Sequence, residues 1–253
     1  MPAQGHERIP ELPRSPGSSL VGGQPSSTLR DEMTSERVVI LAGGAWTEAD
    51  GLGSSLESAD YVIAADGGFA RATALGIDVD EVVGDLDSLD EGTRGRLAAA
   101  TGMTVRRYAT DKDWTDLELA LDTALQRSPA EIVVLGALGG RVDHAMTNVH
   151  LLEKGLAAGV PVVLVAGRET IRLTDGDLVL NDAAIGDCVS LVPLSATAVV
   201  TTTGLRFSLH QERLERAASR GVSNVVAERS VRITVDGGIV AVIHTRSEDR
   251  SDG

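Results

Sequence analysis

Residues 82–88 read Val-Val-Gly-Asp-Leu-Asp-Ser, a short apolar run that ends in glycine and is followed by two carboxylates. In an α/β protein the ligand crevice opens at the carboxyl ends of the strands, which is where Asp85 and Asp87 would lie. Like charges a few ångströms apart resist joint ionisation, and a bound cation removes that cost. Asp oxygens are the hard ligands that Mg²⁺ prefers. The stretch therefore predicts a metal site, with an ordinary acidic turn as the alternative.

Two earlier segments also place a pair of glycines at the end of an apolar strand. Residues 37–44 read RVVILAGG, and residues 61–68 read YVIAADGG. The pattern predicts buried parallel strands with tight turns at their ends. Glycine lets the backbone approach a phosphate or sugar closely, so Gly67 and Gly68 are candidate nucleotide-binding residues. Asp66 is a candidate for a ribose hydroxyl or for the metal cluster, and a plain strand-to-helix turn is the alternative.

Acidic residues crowd the predicted start of a helix in residues 111–118, which read DKDWTDLE. The Thr and the Glu three positions later form a capping box. One acid there would complement the helix dipole, a gain of about 0.3–1 kcal/mol. Several acids with a lysine among them favour a shared Mg²⁺–phosphate site that includes Asp113 and Asp116. Lys112 would contact phosphate oxygens as a point charge, and a solvated surface lysine is the alternative.

A glycine-rich turn follows the apolar strand predicted at residues 131–135. It reads GALGGRVDH, residues 136–144, and leads into a helix, an arrangement suited to an anion at a helix N-terminus. It matches neither a Walker A loop nor the dinucleotide fingerprint. Arg141 could donate in a forked manner to phosphate oxygens. His144 has two interpretations, a nucleotide contact or a hydrogen-bonded structural histidine.

The pattern changes near Gly167 from alternating strands and helices to short strands separated by turns. Strand pairs around residues 174–177 and 236–238 are predicted to form β-hairpins, and residues 212–218 a short helix. The predicted fold is an N-terminal Rossmann-like α/β catalytic domain with a mostly parallel sheet, followed by a C-terminal all-β sandwich. The predicted ranges are a disordered extension at 1–35, the α/β domain at 36–167, the sandwich at 168–246 and a disordered tail at 247–253.

The net charge and the cysteine content of the chain limit the kinds of molecule it can bind and the compartment it suits. The net charge is −14, which argues against binding to nucleic acid or to anionic membranes. A nucleotide substrate stays possible, because Mg²⁺ and a few arginines can carry its phosphates. The single cysteine, Cys188, fits a reducing compartment, and neither a membrane-spanning run nor a signal peptide is apparent, so we expect a cytoplasmic protein.

Taken in order, these motifs resemble the thiamin pyrophosphokinase family. The resemblance extends over about residues 37–245, and the ordered set is specific although each motif alone is weak. The matching segments are residues 65–68 (ADGG), 84–88 (GDLDS), 112–116 (KDWTD), 139–144 (GGRVDH) with Asn148, 204–207 (GLRF) and 223–224 (SN). This chain departs from the family at three positions. The family commonly has Phe where this chain has Leu86 and an acidic residue where it has Val225, and some members have Trp at the position of Phe207.

The resemblance implies a reaction and a set of roles. ATP would donate its β,γ-diphosphoryl group to the hydroxyl of thiamin, with Mg²⁺, giving thiamin diphosphate and AMP in a homodimer whose thiamin pocket lies at the subunit interface. The implied metal ligands and catalytic acids are Asp85, Asp87, Asp113 and Asp116, with Asp143 as a further active-site acid. The implied nucleotide contacts are Asp66, Gly67, Gly68, Lys112, Gly139, Gly140, Arg141, His144 and Asn148. The implied thiamin contacts are Phe207, Ser223 and Asn224.

Two other functions stay open at this stage. One is a different Mg²⁺-dependent phosphoryl or nucleotidyl transferase that acts on another heterocyclic alcohol. The other is a non-catalytic thiamin or nucleotide sensor, although such a protein would be expected to have lost some of these acids.

Overall fold

The computed structural model of the chain describes residues 35–44, 46 and 52–247. The predicted disordered extension and tail therefore lie outside the described residues, apart from Ser35 and Ser247. Within the described part, no helix is both long and apolar enough to cross a bilayer.

The N-terminal half alternates strands and helices around a parallel sheet. Its parallel strands lie in the order β6-β5-β1-β2-β3-β4. The strands are β1 (Arg37–Leu41), β2 (Tyr61–Ala65), β3 (Glu81–Gly84), β4 (Thr104–Arg107), β5 (Glu131–Leu135) and β6 (Val162–Ala166). The helices are α1 (Leu52–Glu57), α2 (Gly67–Leu75), α3 (Glu91–Ala99), α4 (Asp116–Leu125), α5 (Val142–Leu151) and α6 (Glu153–Ala158). Successive residues of the central strands are buried against opposite faces of the sheet, as expected for a sheet covered on both sides.

In the C-terminal half the strands are antiparallel. Four of them extend the first sheet, and four others form a second sheet that packs against this extension as a sandwich. The remaining strands are β7 (Glu169–Thr174), β8 (Asp177–Leu180), β9 (Cys188–Pro193), β10 (Thr197–Thr203), β11 (Glu212–Glu215), β12 (Asn224–Val225), β13 (Val231–Gly237) and β14 (Val240–Thr245). Strands β12-β9-β14-β7 continue the parallel sheet beyond β6 to give ten strands, and β11-β10-β13-β8 form a second sheet. Side chains of both sheets, among them Leu191, Ile233 and Val242, share one buried core. The α/β-plus-sandwich fold predicted from the sequence is confirmed.

Three local predictions in this half are wrong. Strand β7 pairs with β6 and β14, whereas β8 pairs with β13, so the turn at residues 174–177 joins two sheets and is not a hairpin. The turn at residues 236–238 likewise joins β13 of the second sheet to β14 of the first. Residues 212–215 form strand β11, not a helix, because Leu214 inserts alone into the sandwich core between exposed charged neighbours.

Helix boundaries depend on caps that the apolar pattern only partly reveals. Glycine after the apolar residues 69–75 predicts a helix end, and helix α2 does end at Leu75, with Gly76 in the left-handed conformation as its cap. The sequence predicts the next helix over residues 94–100, but helix α3 begins three residues earlier, at Glu91, because the Asp90 side chain accepts a hydrogen bond from Thr93 N. The single helix predicted after the glycine-rich turn at residues 136–144 is in fact two helices, α5 and α6, which meet at Leu152.

Candidate active site

The carboxyl ends of strands β1, β2, β3 and β5 meet at one edge of the sheet, where their following loops enclose a cavity of about 410 Å³. Gly44 packs so closely on Gly136 that an added Cβ would lie 2.2 Å from the Gly136 carbonyl oxygen. Gly68 is similarly close to Leu41 O. The backbone itself therefore forms much of the cavity wall. The lining residues are Ala42, Gly43, Gly44, Ala65, Asp66, Gly67, Ser88, Thr115, Asp116, Leu117, Gly136, Ala137, Gly139, Arg141, His144 and Asn148.

Three carboxylates form a cluster beside this cavity. Asp66, Asp85 and Asp87 each offer one oxygen, and these oxygens lie within 4.8 Å of one another. Ser88 Oγ donates to Asp66 Oδ2 at 2.5 Å. The other oxygen, Asp66 Oδ1, is buried and has no hydrogen-bond partner among the described residues. A buried acceptor without a donor is costly, and a bound cation would satisfy it.

The backbone holds the cluster in a conformation that most residues avoid. Asp66 has φ of 39° and Leu86 has φ of 63°. Leu86 is buried against Phe69, Leu89 and their neighbours, which keeps this short turn in place. Burial of the intervening leucine leaves Asp85 and Asp87 directed away from the core. Strain of this kind persists where the surrounding packing determines the conformation.

Lys112 lies among the acids. Its Nζ is 3.0 Å from Asp85 Oδ2 and 2.9 Å from Asp116 Oδ1, and its side chain is buried. Burial alone would lower the pKa of Lys112, but its close contacts with the Asp116 and Asp85 carboxylates raise it. The ammonium is therefore held charged between two carboxylates, and the alternative of a solvated surface lysine is wrong.

The acids differ in their protonation behaviour because their surroundings differ. Burial raises the pKa of Asp116, and Lys112 opposes this effect. The adjacent Asp85 carboxylate raises the pKa of Asp87. For Asp85, burial favours a higher pKa, but hydrogen bonds from the Asp87 backbone and Lys112 outweigh it and lower the pKa. Such divergence among neighbouring carboxyl groups is typical of functional sites.

The glycine-rich turn at residues 136–144 forms another part of the cavity wall. Arg141 pairs with Asp143 through Nη2–Oδ2 at 2.5 Å, and the guanidinium lowers the pKa of Asp143 to about 2. Both side chains are exposed, so Arg141 could exchange this partner for a phosphate. His144 lines the cavity and is exposed, whereas Asn148 is buried and donates to Ala137 O at 2.7 Å. Asn148 thus fixes the turn, and both side chains line the cavity although only Asn148 is buried.

The candidate thiamin residues lie outside this cavity. Asn224 is buried, accepts from Phe207 N at 3.0 Å and donates to Phe207 O at 2.7 Å. These bonds fix the loop that carries Phe207. This residue is 60% exposed, so ordinary packing in the core is excluded. Ser223 is exposed, with φ of 60°. None of the three lines the catalytic cavity of the same chain.

The structure separates some predicted site residues and adds others. Asp113 is exposed and lies outside the three-carboxylate cluster, whereas Asp66 belongs to it. Gly140 is exposed beside the cavity wall. Sequence reasoning did not assign a role to Ser88 or to the turn at Gly43 and Gly44. The repeated Gly-Gly after β1 was the available signal for that turn, but the hydroxyl of Ser88 carried none.

The described fold and site define the class of this protein: an α/β enzyme with a glycine-walled cavity and clustered carboxylates, fused to a β-sandwich. The comparisons with known proteins narrow that class. The family description "Thiamin pyrophosphokinase, catalytic domain" matches residues 52–164, and "Thiamin pyrophosphokinase, vitamin B1 binding domain" matches residues 177–240. The chain belongs to the thiamin pyrophosphokinase family.

Individual relatives agree with this assignment. The chain is similar to a thiamine pyrophosphokinase of Bacillus subtilis, with 28% identity over 208 residues, 81% of this chain and 97% of the relative. It is 30% identical over 179 residues to thiamine pyrophosphokinase 1 of Oryza sativa subsp. japonica, 66% of this chain and 67% of the relative. The crystal structure of the Bacillus subtilis protein superposes with a TM-score of 0.75 over 84% of this chain and 100% of that chain.

Proposed function

We propose that this enzyme transfers the β,γ-diphosphoryl group of ATP to the hydroxyl of thiamin, giving thiamin diphosphate and AMP. The observation that carries the proposal is the cluster of Asp66, Asp85 and Asp87 beside a glycine-walled cavity, in a chain that belongs to this family. The cavity of about 410 Å³ can accommodate much of a nucleotide. The proposed division into a catalytic domain at 36–167 and a thiamin-binding sandwich at 168–246 follows the change from parallel to antiparallel pairing after β6.

The carboxylate cluster fits a hard divalent cation such as Mg²⁺. Three acidic oxygens converge, and Asp66 Oδ1 is buried without a donor, so a cation would satisfy the site. We propose Asp66, Asp85 and Asp87 as ligands from the cluster, with Asp113 and Asp116 supplying further oxygens from the start of α4. A bound Mg²⁺ supplies charge neutralisation for the phosphate oxygens of ATP.

The residues of the chain itself would bind and orient the reactants. The backbone at Gly67, Gly68, Gly139 and Gly140 would approach the nucleotide closely, and Arg141 would donate to phosphate oxygens. Lys112 would keep Asp85 and Asp116 ionised and add a donor near the phosphates. Positioning and charge stabilisation of this kind account for most of catalysis in phosphoryl transfer.

The bond changes define what the base must do. The thiamin hydroxyl oxygen forms a bond to Pβ, while the bond from Pβ to the oxygen bridging Pα breaks, and that oxygen leaves with AMP. The hydroxyl proton moves to a carboxylate. The acceptor would be an acid of the site that lies within hydrogen-bond reach of the hydroxyl. Asp143 would act through Arg141 by holding the guanidinium at the cavity mouth.

Thiamin would be bound by residues that do not line the catalytic cavity of their own chain. Phe207 would stack on the cationic thiazolium, a gain of about 0.5–2 kcal/mol, with Ser223 beside it and Asn224 fixing the loop. We therefore propose a homodimer in which the sandwich of one subunit completes the site of the other. The exposed apolar side chains Val142 and Met146 on α5, beside the cavity wall, offer a surface for that contact. A cytoplasmic location belongs to the same proposal.

Chromatography of the reaction products tests the function directly. The protein is incubated with ATP and Mg²⁺, with and without thiamin, and AMP, ADP and thiamin diphosphate are separated. Thiamin-dependent formation of AMP and thiamin diphosphate in equal amounts is expected. Formation of ADP would mean transfer of a single phosphoryl group, and binding without turnover would favour a sensor. The named relatives do not favour either alternative.

A further inference from the structure

A second cavity lies away from the proposed catalytic site, where α1 meets strands β5, β6 and β7. Its volume is about 140 Å³, and none of its lining residues lines the larger cavity. Three arginines, Arg37, Arg172 and Arg246, line it together with the carboxylates of Glu131 and Asp182. These five side chains sum to a net charge of +1 in a chain whose overall charge is −14. An electropositive cavity in so acidic a protein is a candidate anion-binding site.

The guanidinium groups keep donors that the described protein atoms do not use. Arg172 donates to Thr170 Oγ1 at 2.9 Å and contacts Asp182 at 3.3 Å. Within the described part of the chain, the Arg246 guanidinium has one hydrogen bond, to Gly167 O at 3.3 Å, and no carboxylate partner. Each guanidinium carries five N–H donors, so most of these remain for a ligand.

Arg37 adds a buried donor without an acceptor. Its Nε lies 3.0 Å from Glu131 Oε2 but is not aligned for a hydrogen bond, and it has no other acceptor among the described residues. Buried N–H groups normally have a partner. An oxyanion in the cavity would accept from Arg37 and from the free edges of the other two arginines.

We propose that this cavity binds a small tetrahedral oxyanion, for which inorganic phosphate is the probe. Arginine forks match the geometry of phosphate oxygens and are less strongly hydrated than lysine. The cavity is about a third of the volume of the catalytic one, which admits a phosphate group and excludes a nucleotide. The hydroxyl of Thr170, already an acceptor from Arg172, has its proton available for the same ligand.

Thermal unfolding of the metal-free protein in EDTA tests the proposal without using activity as a readout. Without Mg²⁺ the clustered acids of the catalytic site repel phosphate, so binding there is minimised. Phosphate is titrated against chloride at equal ionic strength. Phosphate also stabilises proteins generally by exclusion from their surfaces, and this effect is common to all variants. The site is therefore measured as the difference between the wild type and Arg246→Gln.

We expect Arg246→Gln and Arg172→Gln to weaken phosphate binding about tenfold, which is the loss of one charge-assisted contact. Arg246→Lys keeps the charge and should lose less, which separates binding from a folding defect. Arg232→Gln changes an exposed arginine of the sandwich and should behave as the wild type. A wild type with no shift beyond chloride would overturn the proposal, as would an unchanged shift in Arg246→Gln. Loss of the shift in Arg141→Gln would assign phosphate to the catalytic cavity instead and would also overturn it.

Discussion

At the residue scale, the acids of the site differ in what the sequence could reveal about them. Asp85 and Asp87 were predictable, because a strand that ends in glycine and two carboxylates points to one edge of an α/β sheet. The place of Lys112 was not predictable, since its contacts depend on how the loop before α4 folds back onto the turn after β3. The exposure of Asp113 depends on the same loop. Side-chain partners that are distant in sequence are set by packing, which local patterns do not encode.

Asp87→Asn should abolish thiamin-dependent AMP formation while leaving the fold intact. Asp87 is exposed, so the amide costs little stability, but it removes one charge from the three-carboxylate cluster. The loss of activity should be at least about a hundredfold, the scale seen when an electrostatic contact to a transition state is removed. Turnover is compared with the unfolding midpoint of the same sample. Asp175→Asn, the same change at an exposed turn elsewhere, should leave both quantities unchanged, and near-normal turnover of Asp87→Asn would refute its role.

Lys112→Met should make the stability of the protein depend strongly on Mg²⁺. Without the ammonium, Asp85 and Asp116 lose their shared cation, and the metal-free protein should lose about 1–3 kcal/mol of unfolding free energy. Added Mg²⁺ should restore more stability to this variant than to the wild type, because the metal replaces part of the missing charge. Denaturant unfolding with EDTA and with Mg²⁺ measures both effects.

The chain offers a matched control, because its other lysine also bridges two acids. Lys154 contacts Glu118 at 2.9 Å and Asp122 at 2.8 Å, between α4 and α6. Lys154→Met should lower stability without any change in the response to Mg²⁺. An equal Mg²⁺ response in the two variants would contradict the role given to Lys112.

At the element scale, strands of the parallel half were predictable, and strand pairing in the sandwich was not. Five of the six parallel strands are apolar runs with glycine at or just after their ends, whereas the edge strand β4, of sequence TVRR, is exposed along its length and gives no apolar signal. The alternation with helices predicts parallel pairing but not the order of the strands in the sheet. The sandwich strands at β7–β8 and β13–β14 carry hairpin-like turns, yet each turn passes from one sheet to the other. Pairing is decided by which face of each strand is buried in the shared core, and that is a property of both sheets together.

The cap of α3 gives a stability prediction with a defined pH dependence. The backbone and hydroxyl of Thr93 donate to Asp90 at 2.9 and 3.0 Å, and they lower the pKa of that carboxyl from its ordinary value of 3.8. A lowered pKa in the folded state means that the stabilisation is complete above pH 3.8 and is lost as the pH falls through the folded value. The difference in unfolding free energy between the wild type and Asp90→Ala should therefore be constant near neutral pH and should shrink as the pH falls into the acid range. Asp90→Asn, which caps without a charge, should be separated from Asp90→Ala by a gap that acid does not close.

At the scale of the whole molecule, one chain divides its proposed site between two places. The carboxylates and the glycine-walled cavity lie at the edge of the parallel sheet, whereas the exposed Phe207 belongs to the sandwich and does not line that cavity. A second copy that brings its sandwich to the first copy's cavity would assemble a complete site. In a two-fold dimer this contact is made twice, so each subunit gives its Phe207 and receives its partner's.

Mixing two defective variants tests this division. Asp87→Asn lacks the acid and keeps Phe207, and Phe207→Ala lacks the aromatic ring and keeps the acid. If the site is shared, a heterodimer of the two has one site with both defects and one with neither. Random exchange makes half of the dimers heterodimers, so the mixture should recover about a quarter of the wild-type activity. Activity is measured at low thiamin, where Phe207→Ala is weakest, after subunit exchange and with sedimentation to verify dimers. If each site were built from one chain, the mixture would show only the mean of its two parents, and a monomer in sedimentation would contradict the shared site directly.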